Sequence, residues 1–147
     1  MTDKTIAIAC DHGGYDLKMK LIPMLKANGL KVFDLGANGT ESTDYPEFAY
    51  AVASAINDGK TSRGVLCCGS GIGISIAANR HPNVRAALIH DALGAKLCRQ
   101  HNDANVICFG GRITGLDVAL DCLEIFLNTP FEGGRHERRV EKLSNLT

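Results

Sequence analysis

The sequence predicts an α/β protein with one parallel sheet of five strands covered by helices on both faces. Short runs rich in Ile, Val, Ala and Cys alternate along the chain with longer segments of helical apolar spacing. The short runs are continuously apolar, so both faces of each strand are buried, as in parallel sheets. Glycine-rich polar turns follow strands one, three and five, where open α/β sheets bind ligands.

The elements follow in order. Thr5–Cys10 is the first strand, and Asp11-His12-Gly13-Gly14 is a turn. From Asp16 the chain puts Leu17, Leu21, Ile22 and Leu25 on one helical face, with Pro23 as a bend and Asn28-Gly29 as the C-cap. Leu30–Leu35 is the second strand, followed by a polar loop from Gly36 to Asp44. Pro46 suits the first turn of a helix that turns Phe48, Val52, Ala55 and Ile56 inward. Gly64–Cys67 is the third strand; Cys68 marks its passage into a glycine turn, and an Ala/Ile helix reaches Asn79. Val84–Ile89 is the fourth strand, and Asp91 caps a helix carrying Leu93 and Leu97 that ends at His101-Asn102-Asp103. Asn105–Phe109 is the fifth strand, leading into Gly110-Gly111-Arg112. Leu116, Leu120, Leu123 and Leu127 line a long helix that Thr129-Pro130 breaks, and Gly133-Gly134 opens a charged final helix from Arg135.

Length and composition narrow the function. Residues 1–147 make a single domain. Sixteen basic residues balance sixteen acidic ones, which argues against nucleic-acid binding and against attraction to anionic membranes. No run approaches the ~20 apolar residues of a membrane span. The expected location is cytoplasmic, because the N-terminus leads straight into a strand with no signal peptide. Of the six cysteines, Cys10, Cys67, Cys98, Cys108 and Cys122 sit in apolar strand or helix patterns and read as small core residues rather than disulfides. No C-x-x-C is present, so no zinc spacing is expected.

The stretch from Gly64 to Asn79 carries the most chemistry. A strand, a glycine turn and a helix start aim backbone N–H groups at one point, suited to an oxyanion. Neighbours on a strand face opposite ways, so of Cys67 and Cys68 one is core; Cys68, abutting the turn, is the candidate for the site. The Gly71-Ile72-Gly73 pair lacks the third glycine of a dinucleotide fingerprint, since position 76 is Ile, and no Walker lysine follows. Asp11 and His12 are site candidates, although an Asp before a glycine turn also serves as a plain cap. His101 and Asn102 carry the same ambiguity at a helix C-terminus. Arg112, Arg135 and Arg139 form the positive side; Arg135 and Arg139, spaced i, i+4, share one helix face and Arg138 points elsewhere.

Taken together, Cys10–Gly14, Asp44-Tyr45-Pro46, Cys68–Asn79, Arg99–Val106 and Gly133-Gly134-Arg135-His136 resemble the ribose/galactose phosphate isomerase family, in its cysteine-base, ribose-5-phosphate isomerase B branch. The resemblance covers nearly the whole chain in order. It implies a Rossmann-like three-layer α/β/α sandwich and a homodimer or tetramer whose active sites are shared between subunits. The C-terminal helix, about 135–147, is expected at the dimer interface. It also implies a sugar-phosphate substrate with no cofactor and no metal. The implied reaction interconverts ribose 5-phosphate and ribulose 5-phosphate through a cis-enediolate. By resemblance Cys68 is the base, His101 opens the sugar ring with Asp11 as partner, and Asn102 holds the enediolate. Gly69, Ser70, Gly71, Ile72 and Gly73 form the oxyanion hole, Tyr45 lines the sugar pocket, and His12, Arg112, Arg135 and Arg139 take the phosphate. Members with Glu a few residues after the cysteine position form another branch; Ile74-Ser75 offer no carboxylate here. The alternatives are an isomerase of a six-carbon sugar phosphate and a non-enzymatic sugar-phosphate binder.

Overall fold

The computed structural model describes residues 3–145. Strands β1 (Thr5–Cys10), β2 (Lys31–Asp34), β3 (Gly64–Cys68), β4 (Ala86–Leu88) and β5 (Val106–Gly110) form one sheet in the order β2-β1-β3-β5-β4. Every pairing is parallel. β3 is buried throughout at the centre. In register, Cys10 of β1 lies beside Cys67, and Cys68 lies beside Gly110 of β5. Those three strands therefore end in line, and the turns after them meet at one edge of the sheet.

Helices cover both faces. α1 (Tyr15–Ala27), α4 (Ala92–Gln100) and α5 (Leu116–Asn128) pack on the face that carries Ile6, Ile8, Val65, Cys67, Ile107 and Phe109. α2 (Tyr45–Asn57) and α3 (Ile72–Ala78) pack on the face that carries Ala7, Ala9, Leu66, Cys68, Val106 and Cys108. This is the expected three-layer sandwich. α6 (Arg135–Ser144) lies outside both layers and buries only His136. None of the helices among the described residues is long and apolar enough to cross a membrane.

The edge strands are shorter than the apolar runs suggest. β4 covers three residues rather than 84–89. Val84 is drawn into a turn by its N–H bond to the His81 carbonyl, and the N–H of Arg85 goes to the Asn105 side chain at 2.7 Å. Helix faces are also rotated slightly from expectation. α5 buries Ala119, Cys122, Leu123 and Phe126, leaving Leu116, Leu120 and Leu127 at the margin. α4 buries Ala95 and Cys98, while Leu93 is 64% exposed. Both helices are apolar over more than one stripe, and the sheet meets only one of them. α1 continues through Pro23.

One buried group has no precedent in the apolar pattern. Lys18 on α1 is 0% exposed, and its Nζ donates to Asp34 Oδ1 at 2.7 Å and to the Ala37 carbonyl at 2.6 Å. The ammonium ties the end of β2 and the start of the next loop to α1. Removing the carboxylate leaves a buried cation with one carbonyl partner. Asp34→Ala is therefore expected to cost about 3 kcal/mol, as for a broken buried pair, rather than the ~0.5 kcal/mol of an exposed one. Urea unfolding of the two proteins measures the difference.

Candidate active site

The site is built where β1, β3 and β5 end. After β1, Asp11 Oδ1 accepts the N–H groups of Gly13 at 2.9 Å and Gly14 at 3.2 Å, capping a 3-10 turn over His12–Gly14. Gly14 is pressed so hard on β3 that any Cβ there would overlap the Cys67 carbonyl. The Asp11 N–H also reaches that carbonyl at 3.2 Å. After β5, the N–H of Gly111 bonds the Cys68 carbonyl at 2.8 Å and the N–H of Arg112 bonds the Gly69 carbonyl at 2.9 Å. The Arg112 guanidinium lies alongside Gly69, with Nη1 3.1 Å from where a Cβ would stand.

Between them, the β3 turn presents its backbone. Cys68 faces the α2/α3 side and Cys67 the opposite side, as strand alternation requires. Gly71 adopts a left-handed conformation at φ 77° and sends its N–H to Cys68 Sγ at 3.1 Å. The Ser70 hydroxyl accepts the Ile72 N–H at 3.1 Å, which leaves its own proton free to donate. Among the described residues, the N–H groups of Gly69, Ser70 and Gly73 have no hydrogen-bond partner. These donors line the start of α3, a natural position for an anion. The Tyr45 ring stands over that helix start, its Cζ 2.7 Å from where a Cβ on Gly73 would lie.

His12 is fixed by a residue absent from the sequence-based candidates. Its N–H goes to Thr43 Oγ1 at 3.1 Å, and its Nδ1 accepts the Thr43 N–H at 3.1 Å. With Nδ1 occupied as acceptor, the proton of the neutral ring sits on Nε2 and is available to an anion. Thr43 lies in the polar loop before Asp44-Tyr45-Pro46, where residue spacing carries no signal.

Asp11, His12, Tyr45, Cys68, Gly69, Ser70, Gly71, Ile72, Gly73 and Arg112 thus share one edge of the sheet. His101, Asn102, Arg135 and Arg139 do not join them. α4 runs back along the sheet, so His101 caps its far end, just before the start of β5. The length of β5, roughly 16 Å at strand rise, separates the two ends. There His101, Asn102, His136, Arg139, Val140 and Leu143 line a cleft of about 300 Å³. The His101 and His136 rings stack with centroids 4.4 Å apart and 14° between planes. Burial, then the neighbouring His101 and Arg135, push the His136 pKa down. Arg112, Arg135 and Arg139 form no ion pair among the described residues.

The Ribose/Galactose Isomerase family profile matches residues 6–143. The chain belongs to that family. Ribose-5-phosphate isomerase B of Escherichia coli (strain K12) is 44% identical over 143 residues, covering 97% of this chain and 96% of the relative. The structure of ribose-5-phosphate isomerase B from Clostridium thermocellum superposes with TM-score 0.95 at 46% identity, over 97% of this chain and 96% of that one. The ribose 5-phosphate isomerase B structure from Anaplasma phagocytophilum gives TM-score 0.91 at 49% identity, over 97% and 98% of the chains. A relative from Bacillus subtilis, 40% identical over 141 residues, is described no more narrowly than as a sugar phosphate isomerase. Membership in the ribose-5-phosphate isomerase B group makes the chain a sugar-phosphate isomerase.

Within that family frame the cysteines separate by environment. All six are free. Burial pushes the Cys10 thiol up to about 11, against the pull of the Lys18 ammonium, and pushes Cys98 up to about 11. Burial also raises Cys67, Cys108 and Cys122. Such thiols stay protonated and inert.

The turn itself depends on glycine for two separate reasons. Gly71 and Gly29 both hold left-handed φ, 77° and 79°. A Cβ on Gly71 would meet Leu88 Cδ1 at 2.5 Å and the Phe109 carbonyl carbon at 2.8 Å, whereas Gly29 has nothing within 4 Å. Gly29→Ala is expected to cost only backbone strain, about 1 kcal/mol. Gly71→Ala should cost about 2 kcal/mol more through overpacking. Equal urea midpoints for the two variants would contradict the close approach.

Proposed function

We propose that the chain interconverts D-ribose 5-phosphate and D-ribulose 5-phosphate through a cis-enediolate, with Cys68 as the base. The observation that carries this reading is the thiol of Cys68 beside a turn of unengaged N–H groups, with Arg112 on its flank. In the forward direction the thiolate takes the proton from C2 of the open-chain aldose. The C–H electron pair forms the C1–C2 double bond, and the carbonyl pair moves onto O1. Backbone N–H groups of Gly69, Ser70 and Gly73 and the Ser70 hydroxyl stabilise that oxyanion, each donor worth about 3 kcal/mol in such sites. Cys68 returns the proton to C1 while the O2 hydroxyl proton passes to O1, leaving the ketone at C2. Tyr45 walls the sugar pocket.

The remaining roles fall to groups at the other end of the sheet, so the reading includes a homodimer. His101 and Asn102 of a second copy would complete each site, His101 opening the furanose ring with Asp11 and Asn102 holding the enediolate. Arg135 and Arg139 of that copy would join His12 and Arg112 on the phosphate. Two-fold symmetry then builds two equivalent sites from two split ones. α6, exposed and carrying both arginines, is the element expected at that interface. The reaction as written calls on no metal and no cofactor.

Three measurements test this. Ribose 5-phosphate should be isomerised with chelator present, and faster than allose 6-phosphate or galactose 6-phosphate; a hexose phosphate turned over faster would overturn the substrate assignment. Cys68→Ala should lower kcat by about 10²–10⁴-fold, the contribution of a general base, with substrate affinity little changed. Mixing inactive Cys68→Ala and His101→Ala chains after dissociation and reassembly should recover about a quarter of wild-type activity. Half of the dimers are then mixed, and each mixed dimer holds one intact site. No recovery would refute the shared site.

A further inference from the structure

Outside the Cys68 turn, one cluster of side chains has the composition of a ligand set. His101, Glu132 and His136 place their ligand atoms within 4.8 Å of one another. His101 Nε2 and His136 Nε2 each lie 3.7 Å from the same Glu132 Oε1. That separation is beyond hydrogen-bond reach, so the three groups surround a gap rather than satisfy one another. Two imidazoles and a carboxylate with an open fourth position form a common zinc environment. With bonds near 2.0–2.1 Å, tetrahedral ligands lie about 3.3–3.4 Å apart, so closure needs the donor atoms to draw in and the stacked His101 and His136 rings, now 14° from parallel, to turn until both Nε2 lone pairs meet at the ion.

The backbone already holds the three donors in place. His101 caps α4, its N–H bonded to the Leu97 carbonyl at 2.9 Å. The Glu132 N–H bonds the Gln100 carbonyl at 3.1 Å, which ties that loop to the end of α4. Gly133 and Gly134, at φ 66° and 55°, turn the chain so that His136 enters α6 beside the same spot. In the single chain the His101 and Glu132 side chains are 38% and 49% exposed, which leaves the gap open to solvent. Arg139 lines the adjoining cleft and opposes a dication, which sets affinity below that of a closed structural site.

We propose that His101, Glu132 and His136 form a binding site for a borderline d-block dication such as Zn²⁺, and that its occupancy inhibits the enzyme. Nitrogen-rich donors with one carboxylate select Zn²⁺, Co²⁺, Ni²⁺ or Cu²⁺ over Mg²⁺ and Ca²⁺. A metal on His101 Nε2 takes the lone pair that ring opening requires. The inhibition therefore rests on the role proposed for His101, whereas the binding does not.

The test uses the full chain stripped with chelator. Zinc is titrated against a chromophoric competitor, and Co²⁺ is added in a parallel absorption experiment. About one zinc per chain is expected, with Co²⁺ giving visible d–d bands and no thiolate charge-transfer band. Glu132→Gln, at an exposed position that leaves the fold intact, should weaken zinc binding at least about 10-fold, the loss that even an outer-shell partner's removal causes. It should shift the zinc concentration that half-inhibits isomerisation by the same factor. Unchanged zinc affinity in Glu132→Gln, or a thiolate band with Co²⁺, overturns the site. Zinc bound without inhibition of an active enzyme overturns the inhibitory part. Zinc bound by a chain that does not isomerise ribose 5-phosphate leaves the site standing and refutes the substrate reading alone.

Discussion

Three strand ends approach one another more closely than any β-carbon would permit, and the working edge of the molecule depends on that. Gly14 lies on the Cys67 carbonyl, Gly110 on the Ser70 backbone, and Gly111 on the Gly13 carbonyl. Backbone hydrogen bonds lace the three turns: Asp11 to Cys67, Gly111 to Cys68, Arg112 to Gly69. The result is a rigid patch of main chain in which donors are aimed before any ligand arrives. Preorganised dipoles of this kind need no rearrangement as charge develops, which is why they stabilise a transition state more than water does. Because the donors are backbone groups, glycine fixes the geometry of this patch.

The direction of the sheet explains why the polar clusters of one chain fall into two separate groups. All five strands point the same way, so every helix returns to the opposite edge. Residues after strands gather at one edge, and residues after helices gather at the other. Asp11, Cys68 and Arg112 belong to the first group, His101 and Asn102 to the second. The exposed α6 extends the second group with Arg135 and Arg139, which form no ion pair among the described residues. Within one chain of this polarity the two groups stay at opposite edges of the sheet.

Much of this was legible in the sequence, for identifiable reasons. Continuous apolar runs gave the five strands, and strand alternation put Cys67 and Cys68 on opposite faces of the sheet. The N-cap at Asp91, whose carboxylate accepts the Gly94 N–H at 2.6 Å, follows from residue type alone. Other features needed three dimensions. Lys18 stands within the apolar face of α1, where a lysine has no partner in its own helix, and only the placement of Asp34 and Ala37 makes its burial tolerable. Thr43 meets His12 across thirty-one positions of sequence, with no periodicity to announce it. The stripes buried on α4 and α5 were displaced because periodicity gives the angle between apolar residues but not which of two neighbouring stripes the sheet will meet.

The distribution of the six thiols has a consequence for durability. Cys10 and Cys67 are register neighbours on adjacent strands, yet both are sealed from solvent with Cys108. Burial holds these sulfurs protonated, and oxidants attack thiolates. Peroxide exposure thus leaves Cys10, Cys67 and Cys108 untouched for as long as the fold persists, and their oxidation reports unfolding.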